Sequence, residues 1–361
     1  TEGTFYADLE WLSGYIALTY LDQPQKALEH FQHLESDVES PISLARAGYW
    51  QGRAREASGA YDTAALDYAR AALHHEITVY ASHSQDRPEI TSVADIGLVE
   101  PRDGAERAQW LLDEAEMRGV KVVLVCKHLE AHEAMRSQYE QFGIDLVTGV
   151  SSVDQLAIGS KAYFTEQCQA AGLAVVPGIE VRTPEELQAA YDKLISESDT
   201  RVCVKPVTGI YGAGFWVFDE ESDPFRCLAF PDSRRVRFSV YRDLFAQSEK
   251  DRPQLVMPYF SGDEVSTDIV LQDGKALSWV GRRKKGLYQE FEIDGAAVEL
   301  AIAAAEHFKL DGIVSVQTKD APDGKPHLLE INLRYSGGIA YTGLSGINLA
   351  GGFSCSRLDL P

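Results

Sequence analysis

Apolar positions change their period along this chain. From residue 1 to about 75 they recur at three and four: Phe5, Leu9, Leu12 and Ile16, then Ala27, Leu28, Phe31 and Leu34. That is the spacing of one helix face. Asp22-Gln23-Pro24 reads as a turn into a helix with proline in its first turn. Pro24 to Phe31 and Tyr61 to Tyr68 resemble each other at the spacing of helical-pair repeats. Small residues facing aromatics let such helices approach closely. The expectation is a stack of paired helices, a structure that binds by its surface rather than by chemistry.

From about residue 76 strand-like and helix-like stretches alternate. Glu76 to Ser82, Val93 to Glu100, Val120 to Cys126 and Ile144 to Thr148 read as strands; Ala105 to Arg118 and Leu129 to Phe142 read as helices. The continuous apolar run at Val120 suits a strand buried on both faces. Alternation of this kind implies a parallel sheet. No glycine fingerprint precedes a helix, which argues against a dinucleotide site. His128 and His132 stand four apart, but a zinc hydrolase would carry Glu directly after the first histidine, and no third ligand is apparent. A solvated helix face is the expectation there.

From about residue 156 the pattern becomes α+β. Lys161 opens an amphipathic helix closed by Gly172, and Leu173 to Pro177 reads as a strand. Thr183-Pro184-Glu185-Glu186 has the marks of a capped helix start. Arg201 to Pro206 and Trp216 to Phe218 read as strands around Thr208 to Phe215. The glycines there, Gly209, Gly212 and Gly214, form neither a P-loop nor a Rossmann turn, because no Gly-Lys-Ser/Thr follows and a strand comes next. A glycine flap between strands can close backbone N–H groups over phosphates, although an ordinary glycine hairpin has the same composition. Lys205, just before the flap among apolar neighbours, is placed to neutralise a phosphate. Gln254 to Phe260, with Met257 and Tyr259, suits a hinge against which an adenine stacks. Glu264 follows a turn, where it could take a ribose hydroxyl pair or be a plain turn acid. Arg282 to Lys285 is the densest basic cluster, either a solvated strand end or, through Arg282 or Arg283, a contact to substrate or phosphate.

Two runs, Gly312 to Lys319 and Pro326 to Leu333, flank a turn containing Asp-Gly and read as a β-hairpin. Glu330 and Asn332 share a face, and counting back across the turn puts Gln317 roughly opposite Glu330. Three oxygen-bearing side chains with one formal charge suit Mg²⁺ carrying a polyphosphate. Arg334 beside them suits phosphate recognition. An exposed polar strand pair would carry the same pattern.

Composition narrows the partners. The 361 residues carry a net charge of −21 and a pI near 4.8. Nonspecific binding to nucleic acid or to an anionic membrane is therefore not expected, and an anionic ligand must meet a local basic pocket. The five cysteines are scattered, with no C-x-x-C pair. Together with the absence of a signal-like opening, this leads to the expectation of reduced thiols in a cytoplasmic protein, or a periplasmic one if the helical segment dominates.

Two resemblances follow from these residues. ADLEWLSGYIAL, PQKALEHFQHL and SPISLARAGYWQGRAREASGAYDTAALDYARAA resemble the α-superhelical region of soluble lytic transglycosylases over about the first 80 residues. The catalytic domain of that family is not visible downstream, so no lytic role carries over. Residues 76 to 361 resemble the ATP-grasp superfamily: Ser160-Lys161 with GLAVVP, Lys205 with the flap, Met257 to Glu264, and LLEINLRYSGG, in that order. Glutamine at the first metal position is similar to the carbamoyl-phosphate synthase large-subunit branch.

The second resemblance implies roles. Lys161 and Lys205 contact nucleotide phosphates, Glu264 takes the ribose, Gln317, Glu330 and Asn332 hold magnesium, and Arg334 matches the arginine of the Glu-Ile-Asn-Pro-Arg motif, with Leu333 in place of proline. The implied fold is an ATP-grasp domain at 156–361, a shortened Rossmann-like unit at 76–155 lacking its first strand and helix, and an all-α segment at 1–75. The implied activity is an ATP- and Mg²⁺-dependent ligase joining a small-molecule carboxylate to an amine or other nucleophile. Two alternatives stay open: a binding module acting through protein or glycan contacts of residues 1–75 beside an inert ATP-grasp part, and an ATP-grasp phosphotransferase.

Overall fold

Helices come first, as the period predicts: α1 (Thr4–Thr19), α2 (Pro24–Ser36) and α3 (Pro41–Ala57), with α2 packed on both others. The structure is a computed structural model and describes residues 4–38, 41–58, 77–85, 87, 91, 94–197, 200–207, 213–248, 251–286 and 288–358. Pro24 occupies the first turn of α2. Ala17, Ala27 and Ala54 surround Phe31 in the core, and Gly14 lies under the Phe31 ring, which a Cβ there would meet at 2.6 Å. On α2 the buried residues Ala27, Phe31 and Leu34 follow the sequence stripe. On α1 they do not. Leu9, Leu12 and Ile16 are exposed, and Ala7 and Ala17 face inward instead, because small residues admit the rings of Phe31 and Trp50. The second repeat, Tyr61 to Tyr68, lies outside the described residues, and the likeness to transglycosylase superhelices gains nothing beyond helix packing.

The next segment is α/β, but its strands do not join into one sheet. β1 (Tyr80–His83) pairs in parallel with β2 (Ile96–Val99), and β3 (Val122–Leu124) pairs in parallel with β4 (Asp145–Val147). β3 has one neighbour, so Leu124 is exposed rather than buried on both faces. The helix between them, Gly104–Arg118, starts at Asp103, whose carboxylate accepts from Ala105 and Glu106 N–H, and ends at Gly119 with φ 65°. The expected helix over 129–142 is two, Leu129–Glu133 and Arg136–Gln141. The break lets Glu133 and Arg136 pair at 2.5 Å while Arg136 donates to the carbonyls of Leu146 and Val150 at 3.0 Å.

His132 corrects the expectation of a solvated face. His128 is exposed, but His132 is fully buried beside the Tyr139 hydroxyl at 3.2 Å. Burial, then the charges of Arg107 and His128, pulls the imidazole down to about 4.

The remainder forms two antiparallel-dominated sheets. The first contains β5 (Ile179–Val181), β6 (Val202–Pro206), β7 (Trp216–Phe218), β8 (Arg235–Val236) and β9 (Gln254–Pro258), in the order β5-β9-β6-β7-β8. The second contains β10 (Glu264–Gln272), β11 (Lys275–Lys285), β12 (Tyr288–Glu292), β13 (Gly312–Asp320) and β14 (Pro326–Asn332), in the order β12-β11-β10-β13-β14. The expected strand over 173–177 reduces to one parallel bridge, Val175 to Leu328, that stitches the chain entering the first sheet to the edge of the second.

One face of the second sheet is closed by the helix Ala296–His307, whose Ala301, Ala304 and Ala305 pack on Ile269, Val314, Val316 and Ile331. The other face is closed only at one end, by the helix Leu349–Arg357, through Leu349 and Phe353 against Val270, Val280 and Ile313. The open end carries polar residues. Gly149, at φ 86°, lies so close to β14 that a Cβ would meet the Leu333 carbonyl oxygen at 2.6 Å. Among the described residues no helix is long and apolar enough to cross a membrane.

Because His132 is neutral when folded and titrates near 6.5 when unfolded, the unfolded chain binds the extra proton between pH 6.5 and about 4. Stability should therefore fall as pH drops through that window. Urea denaturation of the parent and of His132→Gln should show the variant losing about 2–3 kcal/mol less across it. Parallel pH profiles would remove this account.

Candidate active site

Period two on β6 divides its side chains. Val202 and Val204 enter the cluster under the helix Pro184–Glu197, while Cys203 joins the opposite cluster with Val176, Val217, Leu255 and Met257. Lys205 shares the Cys203 face. Leu329 of β14 packs on that cluster, so this face looks toward the edge of the second sheet. Tyr259 and Phe215 flank it, their rings 6.5 Å apart. Met257 is buried there, and the Tyr259 N–H donates to the Arg201 carbonyl at 2.6 Å.

The second sheet supplies the other wall. In an antiparallel ladder opposed residues share a face. The register aligns Arg282 with Ser266, Ser266 with Gln317, and Gln317 with Glu330. One step along, Asp268, Ser315 and Asn332 are level. The expected position of Gln317 opposite Glu330 is therefore present, and a bulge between Gln317 and Thr318 follows it. The Asn332 amide donates to the Glu330 carboxylate at 3.4 Å.

Three elements meet at Glu330. Lys205 Nζ stands 3.5 Å from Glu330 Oε2, and Lys161 Nζ, from the first residue of the helix Lys161–Ala170, stands 3.7 Å from the same oxygen. Burial alone would raise the Glu330 carboxyl, but the two ammonium groups and the Asn332 amide outweigh it and hold it below the usual range. Burial pulls the Lys205 ammonium down, with Lys161 adding to that and Glu330 opposing it.

Other expected residues fall elsewhere. Glu264 opens β10 on the same face, paired with Lys284. Arg334 is half-buried; its guanidinium donates to the Tyr335 carbonyl at 3.0 Å and, among the described residues, forms no ion pair. Arg283 projects from the opposite face to Arg282 and is held by Glu292 and, at 2.6 Å, by Asp320. It lines a separate concavity of about 320 Å³ with Gly295 and Pro326. Gly214 has φ 78°, close against Pro206. Gly209 and Gly212 lie outside the described residues.

The comparisons agree with this architecture. Residues 250–359 match the family described as ATP-grasp in the biosynthetic pathway with Ter operon. An N5-carboxyaminoimidazole ribonucleotide synthetase solved with ADP is 18% identical, with TM-score 0.56 over 84% of this chain and 74% of that one. The biotin carboxylase domain of a Hydrogenobacter thermophilus 2-oxoglutarate carboxylase is 14% identical, with TM-score 0.54 over 81% of this chain and 67% of that one. The fold is ATP-grasp. No curated protein matches the sequence.

On this ATP-grasp frame the residues that sequence reading passed over are Asp268, Ser315 and Ser336. Asp268 is buried, pairs with the buried Arg282 at 3.2 Å, and accepts from the Ser336 N–H at 2.9 Å and from its hydroxyl at 2.8 Å. Arg282 also donates to the Ser336 hydroxyl at 2.6 Å and to Gln289 at 3.0 Å. The pair thus fastens the turn after Arg334 to the middle of the sheet. The signal was available: Asp268 is an acid inside an apolar strand run, in phase with Glu264. Removing one member of a buried pair strands the other charge. Asp268→Ala should cost about 3–5 kcal/mol in chemical denaturation. A loss under about 1 kcal/mol, the size of an exposed ion pair, would show that Arg282 is satisfied without it.

Proposed function

We propose that this chain is an ATP- and Mg²⁺-dependent ligase that activates a carboxylate as an acyl phosphate for attack by an amine or other nucleophile. The observation that carries the reading is the convergence of Lys161 and Lys205 on Glu330, in line with Gln317 and beside Asn332. Two cations and a row of oxygen ligands at the seam of two sheets fit a nucleotide polyphosphate and its metal. The synthetase with this fold was solved with ADP, and the carboxylase domain with MgADP and bicarbonate. Those ligands belong to those proteins and support the same assignment here. The units are taken as residues 1–75, 76–155 and 156–361.

Within the site, Lys161 and Lys205 hold phosphate oxygens. Lys205, buried on the side facing β14, acts in a drier medium than a surface lysine, where its charge counts for more. Met257 and Tyr259 form the hinge for adenine, Glu264 takes the ribose after releasing Lys284, and Gly209, Gly212 and Gly214 form the flap. The donor set fits Mg²⁺. Gln317, Glu330 and Asn332 offer side-chain oxygens at adjoining register positions, and the buried Ser315 hydroxyl, level with Asn332, has no hydrogen-bond partner. When bound, Mg²⁺ supplies charge neutralisation on the polyphosphate. Arg334, without an ion pair among the described residues, is assigned to the transferring phosphoryl group. Arg283 could join it only by leaving Glu292 and Asp320.

The reaction balances without covalent help from the protein. A carboxylate oxygen attacks the γ-phosphorus and ADP leaves. The nucleophile then attacks the acyl carbon, phosphate leaves, and an amine nucleophile gives up a proton. The catalytic contribution is positioning and electrostatics.

ATP–Mg²⁺ should raise the melting temperature, and ADP should appear when carboxylate and amine libraries are supplied. Lys205→Ala should weaken ATP–Mg²⁺ binding about tenfold or more. The exposed Lys325, in the hairpin turn, should tolerate Ala without change. Parent-like affinity in Lys205→Ala would sink the reading.

A further inference from the structure

Glu330 is already engaged before any ligand arrives. Its Oε2 lies 3.5 Å from Lys205 Nζ and 3.7 Å from Lys161 Nζ, and its Oε1 accepts from the Asn332 amide at 3.4 Å. The one carboxylate among the three proposed metal ligands is thus the counter-ion of the two lysines proposed for the phosphates. The Lys205 side chain is 10% exposed, that of Lys161 13%, and that of Glu330 21%, so bulk water screens this group weakly.

Consider a polyphosphate approaching alone. It must draw both lysines away from Glu330 and then stand beside the stranded carboxylate, anion against anion, in a medium of low effective dielectric. A polyphosphate carrying a divalent cation meets no such conflict. The cation takes the carboxylate while the lysines pass to the phosphate oxygens, so every charge keeps a partner through the exchange.

We infer that Glu330 is a specificity-determining residue, which rejects the bare nucleotide anion and admits the nucleotide only with its divalent cation, because one carboxylate serves either the two lysines or the metal. This rests on the nucleotide site proposed above and adds a sign that metal ligation alone does not predict. A plain metal ligand, once removed, lowers metal-dependent binding and leaves metal-free binding as it was. A purely structural strut, once removed, weakens both. A gate of this kind strengthens metal-free binding when the carboxylate is lost.

The test is equilibrium binding of ADP, by calorimetry at low ionic strength, in EDTA and in excess Mg²⁺. The proteins are the parent, Glu330→Gln, Glu330→Ala, and Glu330→Gln combined with Lys205→Met. Melting curves confirm that each is folded, and the alanine variant stands in if glutamine perturbs the strand. The parent should bind ADP at least about tenfold more weakly in EDTA than in Mg²⁺. Glu330→Gln and Glu330→Ala should bind metal-free ADP about tenfold more tightly than the parent, with little further gain from Mg²⁺. Adding Lys205→Met should abolish the gain. Metal-free affinity in both Glu330 variants equal to or below that of the parent overturns the inference while leaving the nucleotide site standing. Failure of the parent to bind ADP under either condition overturns the nucleotide site itself, and the inference with it.

Discussion

A carboxylate and two ammonium groups meet within 3.7 Å of one another's charged atoms at Glu330 Oε2, and each comes from a different element. Bringing such groups out of water is costly unless they are paired. The pairing therefore fixes the relation of the parts: β14 in the second sheet, β6 in the first, and the start of the helix at Lys161. The surrounding contacts serve the same seam. Val175 bridges to Leu328 on β14, with Val176 N–H donating to the Leu328 carbonyl at 2.9 Å and Leu328 N–H to the Ala174 carbonyl at 2.8 Å. Leu329 packs into the cluster containing Cys203 and Met257. The apolar and backbone contacts set the distance, and the charges set the identity of what belongs there.

The second sheet shows how one strand pattern makes a core and a site together. Alternate residues of β10, β13 and β14 enter the core beneath the helix Ala296–His307, and the residues between them form a polar field. That field stays open at the end where Arg282, Ser266, Gln317 and Glu330 align, because the helix Leu349–Arg357 covers only the apolar end. A slip of one residue would bury the polar row and expose the core row. The buried Asp268–Arg282 pair adds a second lock, since neither charge has a satisfied alternative in another register.

Features governed by neighbours in sequence were legible. The hairpin, the Gln317–Glu330 opposition, the helix beginning at Lys161 and the Thr183 start, where Glu186 N–H donates to the Thr183 hydroxyl at 3.2 Å, follow from turn chemistry and period. The ATP-grasp fold was legible from motif order. Features governed by partners far along the chain were not. His132 looked like a solvated helix residue because the residue that covers it, Tyr139, lies beyond a helix break that exists for Glu133 and Arg136. Arg282 and Arg283 are indistinguishable in sequence, yet one faces Asp268 and the other Glu292 and Asp320, since adjacent strand residues point to opposite faces. The α1 stripe failed for a similar reason: small residues outcompete leucines where aromatic rings must fit.

The α/β segment before the two sheets lacks the continuous sheet its pattern suggested, and a two-stranded sheet has little cohesion of its own. Its attachment is polar as much as apolar. Arg357, near the end of the terminal helix, reaches Asp145 on β4 at 3.3 Å, Asp311 at 2.6 Å and the Leu271 carbonyl at 3.1 Å. The Asp311 N–H in turn donates to the Gly149 carbonyl at 3.1 Å. These contacts bind β4 to the ends of β10 and β13, the two strands that carry Ser266 and Gln317. With Asp311 immediately before β13 and Gly149 immediately under Leu333, a shift of this segment would move both strands of the hairpin at once. The shortened unit therefore does not need its missing strand to matter: it buttresses the hairpin from the end opposite the turn, and Glu330 is held between that support and the lysines of the first lobe.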